Sequence, residues 1–370
     1  MSTAALYVFA FGSGFAALVY QVAWSRMLAL TFGSSLLAAG AVVAAFMGGM
    51  GIGAWLYHRA GDRVRVPLYA YAWLELLIAI ATAGFTFVYL ALPYGFAAAA
   101  SWFSGGLAMD MFRVVTVFIV LLVPCMLMGA TYPALCRALM HSAEEVDQRL
   151  GWIYGINTVG AALGATAAGF LGIEFLGARG SVTFANAINL LIAIGAFGMA
   201  RRFLRAPSDL PEATHEVLPS RLSAWVTGVV LFGSGFATLG YEIIWFRALH
   251  YFMGSGSYVI SAVLTIFLLG LGLGSFFYRR AVRAGRAEAN LGYCQLAIAG
   301  LSLTALLAEQ WVLLQPGFLA GLNEFLAPLG HWQARLAAGS VIAVVIVLPP
   351  VLGMGLAFPV ASRLFLGSVQ

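Results

Sequence analysis

The sequence contains no lysine, and only 9% of its residues are charged. A soluble domain carries about a quarter charged residues. With so few, a water-facing surface over 370 residues goes uncovered, which excludes a soluble fold. The net charge of +5 is all arginine, scattered through short loops. A nucleic-acid surface would gather that charge on one face or stripe, so no nucleic-acid partner is expected. Cysteine is nearly absent: Cys125, Cys136 and Cys294 form no CxxC pair. Cys125 and Cys136 fall on one helical segment about three turns apart, too far to bridge, and all three cysteines read as small core residues. None of the five histidines, His58, His141, His215, His250 and His331, lies at mid-span opposite a partner. Haem ligation is therefore not expected. No HExxH or nucleophile–base pattern appears, so no cofactor, metal site or catalytic residue is expected. Alternating apolar and polar runs are also missing, which excludes a β-barrel.

Hydrophobic residues are what the chain has, at 62% with a mean hydropathy of +0.95. Lipid is its solvent. The apolar runs predict an all-α, polytopic membrane protein with spans at 4–31, 36–57, 68–92, 112–138, 152–175, 181–200, 222–249, 256–278, 290–313 and 336–364. The first span lacks a basic n-region and is too long for a cleaved signal. Arginine sets the orientation: Arg59, Arg63, Arg65, Arg137, Arg149, Arg201, Arg202, Arg205, Arg221, Arg279, Arg280, Arg283, Arg286 and Arg363 fall on one side. Arg113, Arg179 and Arg335 fall on the other. This positive-inside bias predicts cytoplasmic termini in a bacterial-type inner membrane. The segment 201–221, with Pro207, Pro211 and Pro219, reads as a cytoplasmic linker between a first half, 1–200, and a second, 222–370. Two outer loops, near 93–111 and 314–335, suit the membrane interface through Tyr94, Trp102, Phe103 and Trp332. Glu174, Arg179, Glu309 and Arg335 read as interfacial charges.

An internal repeat carries most of the information. Residues 11–26 read FGSGFAALVYQVAWSR, and residues 232–247 read FGSGFATLGYEIIWFR. The offset of 221 holds through the next span, where Phe46, Gly49, Gly51, Gly53, Tyr57 and Arg59 match Phe267, Gly270, Gly272, Gly274, Tyr278 and Arg280. At offset 226, Pro124, Met128, Gly129, Pro133 and Arg137 match Pro350, Met354, Gly355, Pro359 and Arg363. The first four spans thus recur as the seventh to tenth. Six spans separate the copies, an even number, so both have the same orientation: a parallel repeat like that of the major-facilitator halves. The fifth and sixth spans have no second copy. Either two helices are lacking by design, or a longer polypeptide continues past Gln370.

The repeated block SGFAALVYQVAWSR with FMGGMGIGAW resembles the membrane region of the spermidine synthase-like membrane proteins, also described as fused major-facilitator and spermidine synthase proteins. YGINTVGAALGATAAGF at 154–170 and GATYPALCR at 129–137 resemble that family too. The resemblance implies a polyamine-related role. Such proteins usually continue into a soluble aminopropyltransferase domain with a Rossmann-like sheet and a glycine-rich turn. Here the glycines sit inside apolar helices, so the resemblance implies no aminopropyl transfer by this chain.

Ionisable groups at membrane depth are costly and become candidates by default. Glu242 has Gln21 as its repeat-mate, and Glu75 has approximately Gln295. Each half therefore holds one Glu and one Gln at swapped positions. A buried carboxylate there is either protonated or meets a cation, from a solute or from arginine. Arg26 and Arg247 are equivalent, each five residues beyond Gln21 or Glu242. That spacing favours a pair across the repeat, Glu242 with Arg26, or snorkelling to the headgroups. Tyr20 with Trp24, and Tyr241 with Trp245, stand one turn apart, as a cation cage or as packing. The runs Gly49, Gly51, Gly53 and Gly270, Gly272, Gly274, and the pair Gly160 and Gly164, let helices approach closely. Asn157 suits an interhelical hydrogen bond. Pro124, Gly129 and Pro133, with Pro350, Gly355 and Pro359, predict breaks at matching places in the two halves, the pattern of a transporter site. Three roles follow: a carrier or binding module for a small cationic metabolite such as a polyamine, a membrane anchor for a soluble aminopropyltransferase-like enzyme, or a structural subunit of a membrane complex.

Overall fold

The computed structural model describes residues 3–61, 64–103, 106–139, 146–201, 223–254, 256–281, 287–313, 315–326, 328 and 330–369. Among them every regular element is helical. In lipid a backbone must satisfy its own polar groups, and a helix does so within one segment. The elements are α1 (Thr3–Phe32), α2 (Ser35–Gly61), α3 (Pro67–Ala99), α4 (Gly106–Leu139), α5 (Val146–Ala167), α6 (Ile173–Ala200), α7 (Ala224–Met253), α8 (Gly256–Ala281), α9 (Ala287–Leu313), α10 (Pro316–Leu326) and α11 (His331–Val369).

Nine runs among the described residues are long and apolar enough to cross a bilayer, and the fifth, Trp152–Ala200, is 49 residues long. A straight helix of that length would measure about 70 Å, more than twice a hydrocarbon core of about 30 Å. It is not straight. A π-helical turn, Ala168–Gly172, ends α5, and Gly177 leaves the helix at φ 70°, ψ 169°. A side chain there would be strained, and glycine is not. The chain reverses at this point. α5 runs in the same sense as α1, with Gly160 against Phe11 and Gly164 against Phe15. α6 runs in the opposite sense, with Gly195 beside Phe9 and Asn186 beside Tyr20. Among the described residues these nine runs, one of them double, are long and apolar enough for ten crossings, and the chain is an all-α, multi-pass membrane protein.

Two expectations need correction. The loops expected near 93–111 and 314–335 are shorter than expected: α3 continues to Ala99 and α4 begins at Gly106, leaving a 3₁₀ turn at Ala100–Trp102. The stretch 97–100 is all alanine, the strongest helix former, and it carries the helix past the expected end. In the second loop α10 is a helix of its own. Nor do the prolines break their helices. α4 passes through Pro124 and Pro133, and α11 through Pro349, Pro350 and Pro359, as continuous helices. Membrane helices tolerate such prolines where neighbours satisfy the freed backbone groups.

The chain divides into two compact units, Met1–Thr214 and His215–Gln370. The division falls within 201–221, which beyond Arg201 lies outside the described residues. In the first unit α2 lies along α4, α1 lies on α5 and α6, and α3 lies on α4 and α6. In the second, α11 packs against α8, α9 and α7.

The repeat is a repeat of contacts. In the first unit Gly49 faces Cys125, Gly53 faces the Met126 carbonyl, and Gly129 faces the Met50 backbone. In the second, Gly270 faces Val351, Gly274 faces the Leu352 carbonyl, and Gly355 faces the Leu271 backbone. Each contact recurs at the offsets read from the sequence. Gly33 and Gly254 also correspond; each closes its helix at positive φ, 71° and 74°. Asn157 lies against Gly14, so the α1–α5 pairing follows the same close-approach rule. The middle glycine differs: nothing lies near Gly51.

At Gly53 even one added methyl meets backbone, which no rotamer change relieves. We expect Gly53→Ala and Gly274→Ala each to lower stability by roughly 1–3 kcal/mol, the ordinary cost of overpacking. Gly51→Ala, beside open space, should leave it unchanged or slightly raise it. Melting of the purified protein in detergent decides: equal effects at 51 and 53 would refute the packing role.

Candidate functional site

Helical spacing gathers polar side chains into a seam inside the first unit. Tyr71, Glu75 and Thr82 fall on one face of α3, and Ser13, Tyr20 and Trp24 on one face of α1. Asn186 and Asn189 come from α6. Glu75, Tyr71, Tyr20 and Thr82 are wholly buried, at 0% exposure.

Asn186 ties the three helices at one level. The Tyr20 hydroxyl donates to Asn186 Oδ1 at 2.7 Å, and the Thr82 hydroxyl meets the same oxygen and the Ile78 carbonyl, the latter at 2.7 Å. Glu75 lies two turns along α3 from Thr82. The hydroxyls of Ser13 and Tyr71 flank its carboxyl, yet neither completes a hydrogen bond of full geometry to either oxygen. Tyr71 directs its proton instead to the Phe9 carbonyl, at 3.3 Å. Neither arginine nor histidine among the described residues lies against Glu75. Asn189 Oδ1, Trp24 Nε1 and both amide atoms of Gln21 are likewise buried without a partner. Buried polar atoms are normally satisfied, so these unsatisfied ones call for an explanation. The seam holds no group of three metal-binding side chains among the described residues.

The other sequence candidates are placed as follows. Trp24 stacks on Tyr20, with centroids 5.3 Å apart and planes at 19°, and Phe85 lies tilted against it, also at 5.3 Å. All three rings are buried, so in the first unit the packing alternative fits them. Gln21 sits about 80° around α1 from Ser13, off the face that meets Glu75. In the second unit Gln295 stands where Glu75 stands in the first, and its amide donates to Ser234, the counterpart of Ser13, at 2.6 Å. Glu242 and Trp245 are buried, Tyr241 is half-buried, and Trp245 Nε1, like Trp24 Nε1, has no partner among the described residues. Arg26 is half-buried in the first unit and Arg247 exposed in the second. Glu242 and Arg26 belong to different units.

Five members of the seam were not picked out from the sequence: Ser13, Tyr71, Thr82, Asn186 and Asn189. Two signals point to them. Tyr71, Glu75 and Thr82 keep helical spacing in an otherwise apolar run, and Ser13 belongs to the repeated FGSGF. Asn186 and Asn189 lie in the unrepeated sixth span, where a search built on the repeat does not look.

Asn186→Ala removes the acceptor shared by two buried hydroxyls, and we expect it to cost roughly 1–3 kcal/mol of stability. Tyr20→Phe should cost less. In a double-mutant cycle the two should couple by at least about 0.5 kcal/mol; additive effects would show that the bond contributes nothing. No protein-family model and no curated protein matches this sequence.

Proposed function

We propose that the chain is a membrane-embedded binding or carrier protein for a small cationic solute, with Glu75 as its cation-accepting group. One observation carries the reading: a carboxyl in the packed interior of a membrane unit, flanked by two hydroxyls, with no counter-charge and no hydrogen bond of full geometry among the described residues. An ammonium group brings three donors and one positive charge. The carboxylate oxygens and the Ser13 and Tyr71 oxygens supply acceptors for it, since Tyr71 spends its own proton on Phe9. Anchoring a soluble enzyme, or serving as a structural subunit, places no demand on a buried carboxyl. For that reason we prefer the carrier reading to those two. The choice of a polyamine follows the resemblance to the spermidine synthase-like membrane proteins. A bacterial-type inner membrane with cytoplasmic termini follows the arginine distribution.

The second unit supplies a control. Gln295 occupies the position of Glu75 and is accommodated there with a hydrogen bond to serine. Glu75→Gln should therefore fold with wild-type stability. Putrescine or spermidine should stabilise the wild type by mass action, by about 2.7 kcal/mol at a hundredfold excess over Kd, and so raise its melting temperature. That gain should vanish in Glu75→Gln, and 1,4-butanediol should give none in either protein. Proteoliposome uptake then separates carriage from binding. A wild type indifferent to every cation tested, or a Glu75→Gln protein that still responds, sinks the proposal.

A further inference from the structure

Glu75 stands where no other group settles its charge. It is the one charged residue of α3, and it is wholly buried. The titratable groups that face it are Tyr71 on its own helix and Tyr20 on α1. Among the described residues α4 and α6 bring it no counter-charge. Arg137 of α4 lies over the Tyr57 ring. Arg113 of α4 pairs with Asp110 and lies over Phe96, at the other end of α3. Arg179 of α6 lies over Tyr89, farther along α3, and Glu174 is exposed. Arg26 stands more than three turns of α1 beyond Ser13.

A bare carboxylate in such a place has neither water nor counter-ion, and a group so placed neutralises instead. Two neutral forms exist. The carboxyl holds a proton and donates it to a flanking hydroxyl oxygen, or it is a carboxylate holding an ammonium. Both together leave a surplus positive charge, and neither leaves a surplus negative one. The second unit shows the first form made permanent. An amide is the neutral isostere of a protonated carboxyl, with an N–H where the acid has its O–H. Gln295, half-buried at the position of Glu75, donates to Ser234 at 2.6 Å, as a protonated Glu75 would to Ser13. The tyrosine goes with the acid. Four residues before Glu75 stands Tyr71, and four before Gln295 stands a buried leucine, Leu291. A protonated carboxyl has one hydrogen to place, and one hydroxyl receives it. An ammonium has three, and the Tyr71 oxygen adds an acceptor.

We propose that Glu75 is an exchange site, holding a proton or an ammonium group in turn, and that Gln295 marks its non-exchanging copy. The inference rests on the cation-binding reading of the same carboxyl and adds what leaves when the cation enters. The step balances. The O–H bond of Glu75 breaks, its electron pair stays on the carboxylate oxygen, and the proton passes to bulk water. The incoming ammonium keeps all its own protons. The carboxyl and its occupant sum to zero charge before and after. In a carrier, proton and ammonium then travel in opposite directions.

Two measurements on the full chain in detergent test this. Calorimetric titration with putrescine, in pairs of buffers that differ in ionisation heat, counts the protons released. As the pH falls from about 8 to about 5, release should rise towards about one proton per putrescine, and Kd should rise towards about tenfold per pH unit, because proton and ammonium compete for the same oxygens while alkylammonium groups keep their protons throughout. Difference infrared spectra, wild type minus Glu75→Gln, report the empty site without any ligand. A protonated-carboxyl band should be present and should vanish when putrescine is added. Binding that depends on Glu75 but keeps one affinity across the range and releases no proton would overturn the exchange and leave the cation site standing. So would a carboxylate band in the empty protein. No binding at any pH, or binding unchanged in Glu75→Gln, would overturn both.

Discussion

Lipid removes the force that assembles soluble proteins. Acyl chains are as apolar as leucine, so burying one helix against another releases no water. What remains is close packing of backbone on backbone, and glycine is where that is achieved. Gly49, Gly53 and Gly129 bring α2 onto α4, and Gly14, Gly160 and Gly164 bring α1 onto α5. Ordering the rest of the first unit depends on these approaches. With α4 held against α2, and α1 held against α5 and α6, the long helix α3 can lie on α4 and α6 together. The second unit uses the same device at Gly270, Gly274 and Gly355.

On that scaffold the polar seam is an exception that the packing tolerates. Asn186 satisfies two hydroxyls from two other helices, and so fixes the spacing of α1, α3 and α6 by hydrogen bonds where glycine does not. Glu75 is left out of this accounting. The two units show that its place in the fold does not require an acid, because the second holds Gln295 there, bonded to the matching serine. The same scaffold therefore carries an acid in one unit and an amide in the other, and the difference is chemistry rather than architecture.

Much of this was legible in the sequence. Apolar length marked the crossings, and the repeat marked which helices correspond. Its glycines marked where helices come close, though the partners, such as Met126 for Gly53 and Leu352 for Gly274, came only with the structure. Helix ends were less legible, because alanine at 97–100 continues a helix as readily as it fills an interface. The prolines were less legible, because a proline shows which backbone bond is lost and not whether the helix continues past it, as α4 and α11 do. Glu75 stood out as a lone carboxyl, but its surroundings did not. The hydroxyls and amides around it come from three helices whose mutual rotation no single-helix pattern records.

The pairing of α1 with α5 also bears on biosynthesis. The two meet face to face, yet α2, α3 and α4 intervene in the chain. At about 5–20 residues per second, on the order of ten seconds separate the emergence of α1 from that of the helix that closes its glycine face. α1 must therefore enter the bilayer and wait there unmatched. The first unit is completed only after the α5–α6 hairpin has turned at Gly177 and returned to it.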